Sequence, residues 1–199
     1  MASNAPTNPA FPELKGREIL LAVCGGIAAY KAADLVSKLV QAGAGVCVCM
    51  TTNAQRFVTP LTFQALSGRR VYTEMFCASG TPDAPAPDHL SLTENADLML
   101  VAPATANILA KAACGMCDDL VSTLLCASPR PVVFAPAMNY RMWQNPICQE
   151  NVAKLQKLGH RFIGPESGRM AEGTTGTGRL AEPVAILQAI AALLREQTA

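Results

Sequence analysis

Apolar residues recur along the chain in two rhythms. Unbroken apolar runs at 19–23, 46–50, 98–101 and 132–134 have the length and composition of buried strands, and 161–163 predicts a further one. Between them, apolar residues three and four positions apart predict helices over 27–41, 60–66, 108–113, 117–127 and 146–158. A last amphipathic helix over 183–196 turns Val184, Ile186, Leu187, Ile190, Leu193 and Leu194 to one face. Residues 71–76 read as an extended segment. Strands alternating with helices, joined by right-handed crossovers, predict the α/β class, as a three-layer Rossmann-like (flavodoxin-like) doubly wound parallel sheet.

Three stretches break the rhythm. Residues 1–15 hold three prolines and few large apolar side chains, which predicts a disordered tail ahead of a single domain over 16–199. Residues 77–88 hold three prolines, a glycine and no large apolar residue, the composition of an exposed loop, and His89 follows at the start of a helix. Residues 164–183 contain five glycines together with Thr174, Thr175 and Thr177, too long and glycine-rich for a plain connection and therefore a candidate lid.

Composition narrows the partners. With 199 residues, 50% of them hydrophobic, the chain can bury a full core, and a formal charge of +1 gives no electrostatic reason to expect nucleic acid or an anionic membrane. No apolar run reaches membrane-spanning length and no signal peptide opens the chain, so a soluble, cytoplasmic protein acting on a small molecule is expected. Of the eight cysteines, Cys24, Cys47 and Cys49 fall on strands and Cys114, Cys117 and Cys126 among helical residues, as small core hydrophobes do. Cys114 and Cys117 have the spacing of a metal or redox pair but lack a second pair or clustered histidines, so no metal is expected.

The candidate chemistry lies where the strands end. Gly25 and Gly26 let backbone N–H groups approach an anion, or form only a tight turn. Thr51, Thr52 and Asn53 bring two hydroxyls and an amide to the same sheet edge, for a phosphate or, through Thr52, a helix cap. Thr105, Ala106 and Asn107 repeat the pattern after the third strand. After the fourth, Pro136 stops the strand, and Asn139 is placed to bind a carboxylate or to cap the helix carrying Met142 and Trp143. Four strands delivering small or hydrogen-bonding residues to one edge suit a phosphorylated, flat, polar ligand. Asp118 and Asp119 open a helix, where their charge complements its positive end.

Gly25-Gly26-Ile27-Ala28-Ala29-Tyr30-Lys31, the segment from Pro60 through Gln64 to Gly68, Ala102-Pro103-Ala104-Thr105-Ala106-Asn107, and Pro136-Ala137-Met138-Asn139 with Met142-Trp143 resemble the flavin-containing cysteine decarboxylases, most of all their coenzyme A branch. The resemblance spans about 17–195. It implies FMN, held by Gly25, Gly26, Ile27 and Ala28, by Thr51, Thr52 and Asn53, by Thr105, Ala106 and Asn107, and by Ala137. It implies His89 as active-site acid or base, and Asn139, Met142, Arg169 and Ala171 around the substrate, with Asn139 on its carboxylate. The implied activity is decarboxylation of 4'-phosphopantothenoylcysteine, a small phosphorylated cysteine conjugate, to 4'-phosphopantetheine. The implied assembly is a homotrimer or a dodecamer of trimers, with FMN and His89 meeting across a subunit boundary. The family's two-domain form adds a ligase, for which this length leaves no room.

Flavin explains how such a substrate can lose CO2. A cysteine carboxylate has no adjacent electron sink; oxidation of the thiol to a thioaldehyde supplies one, and reduced flavin can then return the hydride. The lid departs from the resemblance at one position: Glu172 stands where the family has the cysteine that protonates the ene-thiol. Glu172 either donates that proton or is inert. Two further readings follow, an oxidative decarboxylase that stops at the ene-thiol, as in lantibiotic maturation, and a non-catalytic FMN-binding regulatory protein. Flavin prenyltransferases share the fold but match poorly at the glycine turn and His89.

Overall fold

The computed structural model describes residues 11–75, 89–171 and 173–197. The strands β1 (Glu18–Val23), β2 (Gly45–Met50), β3 (Val71–Tyr72), β4 (Leu98–Ala104), β5 (Val133–Pro136) and β6 (Arg161–Phe162) form one sheet in the order β3-β2-β1-β4-β5-β6. Every pairing within it is parallel. The connections leaving β1 and β4 run in opposite directions across the sheet, so a crevice opens between their carboxyl ends.

Alternate residues of the strands feed two cores. Ile19, Leu21, Val23, Val46, Val48, Leu98 and Leu100 face α1 (Ala29–Gln41) and α8 (Pro183–Glu196). Leu20, Ala22, Met99, Val101 and Phe134 face α4 (Ala106–Cys114), α5 (Leu120–Ala127) and α7 (Pro146–Lys157). Burial on both faces is why these strands read as continuous apolar runs. Of the terminal helix's expected apolar face, Ile186, Leu187, Ile190 and Leu194 are buried, whereas Val184 is exposed. The shorter α2 (Pro60–Ser67) closes at Gly68, whose φ of 67° is the left-handed turn glycine adopts without strain.

Several expectations are corrected. The tail is ordered from Phe11: Pro12–Leu14 form a 3-10 turn, Leu14 is buried in the first core, and Glu13 pairs with Arg195 on α8. Residues 1–10 and the expected loop at 77–88 lie outside the described residues. β4 runs on to Ala104 instead of ending at Val101; the register shifts between the two, and such an irregularity accommodates Pro103. Of the expected extended segment 71–76, Val71 and Tyr72 pair as β3, and residue 76 lies outside the described residues. Cys114, Cys117 and Cys126 are exposed rather than core, because they fall on the outward side of α4, α5 and their connection.

The glycine-rich 164–183 segment is an antiparallel ribbon, β7 (Glu166–Arg169) paired with β8 (Thr175–Arg179). No described helix is long and apolar enough to cross a membrane.

Candidate active site

The carboxyl ends of β1, β2, β4 and β5, with the ribbon above them, enclose a cavity of ≈ 850 Å³. Its wall contains Gly25, Gly26, Ile27 and Ala28 after β1, Thr51, Thr52 and Asn53 after β2, Thr105, Ala106 and Asn107 after β4, and Ala137, Asn139 and Met142 after β5. Arg169 and Ala171 reach it from the ribbon. The structure thus brings these expected cofactor and substrate residues to one place, over the crevice between β1 and β4.

Local geometry explains the residue types. A β-carbon on Gly25 would stand 2.7 Å from the Asn53 carbonyl carbon, so only glycine lets the first two turns touch. The Thr51 hydroxyl, not that of Thr52, accepts the Ala54 N–H at 3.2 Å, and Thr52 and Asn53 stay exposed on the cavity. Thr105 caps α4 by accepting the Ile108 N–H at 3.3 Å. Of the two roles the sequence left open, Asn139 takes the cap: its Oδ1 accepts the Arg141 N–H at 2.8 Å at the start of α6 (Tyr140–Trp143), and the residue also lines the cavity.

The ribbon is seated on this last turn. The Met138 N–H donates to the Gly178 carbonyl at 2.9 Å, and a β-carbon on Gly176 would stand 2.7 Å from the Tyr140 Cβ. The base of the segment is therefore fixed, and Met170, buried on the cavity wall, closes the ribbon by donating its N–H to the Thr174 carbonyl at 2.7 Å. Arg179 lies across Gly168, where a β-carbon would stand 2.5 Å from its Nη1. Its Nη2 shares Glu182 Oε1, at 3.2 Å, with Lys31 Nζ, at 2.7 Å. Lys31 and Arg179 both line the cavity, and the +1 balance of this trio favours an anionic ligand there.

Across the cavity stands a second charged group that sequence reasoning treated only as a helix end. Lys111 Nζ lies 2.5 Å from Asp118 Oδ1 and 2.6 Å from Asp119 Oδ2. Burial pulls the Lys111 ammonium down, but the two carboxylates outweigh it and the net shift is upward. Burial likewise pushes Asp119 up, and its bonds from Lys111 and Ser122 reverse this to a net lowering. The spacing of Ile108 and Lys111 on one helical face could have signalled the second residue. Beneath them Cys24 is buried, and burial pushes its thiol up to about 12, which keeps it protonated and unreactive.

His89 is the first residue of α3 (His89–Glu94), a helix packed against α5. Glu172 lies outside the described residues. Ile27, Tyr30 and Met142 are 62%, 61% and 49% exposed beside the cavity, so its mouth is apolar and open.

A family model described as Flavoprotein matches residues 9–195. The coenzyme A biosynthesis bifunctional protein CoaBC of Bacillus subtilis is 48% identical over 185 residues, 93% of this chain and 45% of that protein. The chain thus spans about half the length of the first curated relatives it matches. A protein of Streptococcus mutans named probable phosphopantothenoylcysteine decarboxylase is 46% identical over 176 residues, 87% of this chain and 97% of that one. The solved structure of the FMN binding protein AtHal3 superposes with a TM-score of 0.77 at 29% identity, covering 92% of this chain and 98% of that one.

Proposed function

The chain belongs to the Flavoprotein family, and from that premise we propose that it decarboxylates 4'-phosphopantothenoylcysteine to 4'-phosphopantetheine. Its cofactor is FMN. The cavity fits that group: the Gly25 turn is packed too tightly for any side chain, so the bare backbone of the loop that opens α1 forms the cavity wall where a phosphate can approach closely. Gly25 to Ala28, with Thr52 and Asn53, would hold the phosphate; Thr105, Ala106, Asn107 and Ala137 would line the ring. Bound FMN supplies the two-electron oxidation of the substrate thiol that gives the departing carboxylate electrons somewhere to go.

The remaining roles fall to the chain. Asn139, whose Oδ1 already accepts the Arg141 N–H, orients its side chain through that bond and directs the substrate carboxylate toward the ring. Met142, Arg169 and Ala171 close around the substrate, and the ribbon above excludes water from the reactive intermediate. His89 acts as acid or base on the thiol or the departing carboxylate. Trimers, or dodecamers of trimers, would set FMN against His89 of a neighbouring subunit.

The observation that carries this reading is the convergence of four strand-end turns and the ribbon on one cavity that holds Asn139. Incubation with phosphopantothenoylcysteine and mass analysis of the product tests it. Unchanged substrate in the presence of bound FMN would overturn the activity. Glu172 in the family's cysteine position favours one second reading, an oxidative decarboxylase that releases the ene-thiol; its product is two hydrogens lighter.

A further inference from the structure

Lys111 and Asp119 stand side by side on the cavity wall, and the reaction above uses neither. Lys111 is one turn beyond Ile108 on α4, and Asp119 is the N-cap of α5. An ammonium carries three N–H donors and each carboxylate oxygen about two acceptor positions. Two donors are engaged, by Asp118 Oδ1 at 2.5 Å and by Asp119 Oδ2 at 2.6 Å. Asp119 Oδ1 accepts the Ser122 N–H at 2.8 Å and lies 3.0 Å from the Ser122 hydroxyl, whose one proton it shares with the Asp119 carbonyl, also at 3.0 Å. Beyond these bonds Lys111 has a third N–H and Asp119 Oδ2 a second acceptor position, and of the three charged residues Lys111 and Asp119 line the cavity whereas Asp118 does not.

A donor next to an acceptor is complementary to a carbonyl next to an N–H. One ammonium against two carboxylates leaves the cluster at −1, which sets it against a phosphate. The apolar benzenoid edge of a flavin would desolvate these groups and return nothing. The ribityl chain is tied to the phosphate, whose cradle is the Gly25 turn. The part of the cofactor left is the imide, where a carbonyl adjoins a ring N–H. We infer that Lys111 and Asp119 together read the imide edge of the flavin, Lys111 donating to a carbonyl and Asp119 accepting the ring N–H. This rests on FMN being the cofactor.

The test titrates FMN, and FMN methylated on its imide nitrogen, into the flavin-freed full chain and follows flavin fluorescence. Wild type should prefer FMN by about tenfold or more, the worth of a hydrogen bond to a charged acceptor. Asp119→Asn keeps the helix cap, because its oxygen must stay on the Ser122 N–H. That turns the amide NH2 to where Oδ2 now sits, so the acceptor is lost and the preference should fall to near one. Lys111→Met should weaken both flavins alike, since both keep the carbonyl. Equal affinities in wild type, or a preference that survives Asp119→Asn, would overturn the inference while leaving FMN as cofactor. Wild type that binds neither flavin would remove the cofactor reading and this one with it.

Discussion

Met138 and Gly178 hold one another at backbone range: the Met138 N–H donates to the Gly178 carbonyl at 2.9 Å, and a β-carbon on Gly178 would collide with the Met138 carbonyl oxygen. The neighbour in that collision is backbone and cannot rotate away. Gly178→Ala should therefore lift the ribbon off the Asn139 turn at a cost of about 1–3 kcal/mol. We expect FMN to stay bound while kcat/KM for decarboxylation falls roughly 10- to 100-fold. Wild-type kinetics in that variant would show that the seating of the ribbon is irrelevant to turnover.

Asn139→Asp separates the two duties of that side chain. Aspartate caps a helix as well as asparagine, so thermal stability should hardly move. Its charge opposes the substrate carboxylate, and kcat/KM should drop by about a hundredfold or more, the scale of losing one hydrogen bond to a charged group and adding a repulsion. A melting curve beside steady-state kinetics checks both halves.

His89→Asn should retain the yellow colour of bound oxidised flavin and release no CO2. The residue opens α3, away in sequence from the turns that line the cavity. Loss of colour together with activity would place it in cofactor binding instead.

Glu172→Gln decides what completes the reaction. If the carboxyl group donates the last proton, wild type gives saturated phosphopantetheine and the glutamine variant accumulates a product two hydrogens lighter; Glu172→Cys should restore the saturated product. Mass analysis reads all three. Saturated product from the glutamine variant would assign the proton to another donor.

His160 gives the fold a pH dependence of its own. Its Nδ1 accepts the Val132 N–H at 3.0 Å, a bond only the neutral ring can make there, and burial lowers its pKa from the ordinary imidazole value. The unfolded chain therefore takes up the proton first. Stability contributed by the neutral ring is present above the ordinary value of about 6.5 and is lost as pH falls from there to the lowered folded value. Denaturant midpoints across that window should decline in wild type and stay flatter in His160→Gln.

The strands and most helices were legible because four inner strands are buried on both faces and so run apolar without interruption. The turn residues were legible because small and amide-bearing types repeat after each of them. What escaped reading was made by contacts distant in sequence. Nothing local to Glu182 signals that it joins Lys31 on α1 to Arg179 on the ribbon, 151 and 3 residues away. Leu14 looked like tail because three prolines precede it within the first twelve residues, yet the pocket it fills is built by elements that follow it. Asp119 looked like a charge set against a positive helix end, and it is the N-cap there; that Lys111 meets it depends on how α4 and α5 pack.

The two outermost strands of the sheet, β3 and β6, are two residues each. Inner strands this apolar would template pairing with other chains if they stood at an edge, since an edge strand presents a row of unsatisfied N–H and C=O groups. Two residues offer too short a row for a second chain to nucleate on. Resistance to edge-to-edge aggregation is thus written into the sheet's borders, and lengthening β3 or β6 with alternating valines would be a direct way to make this protein form fibres.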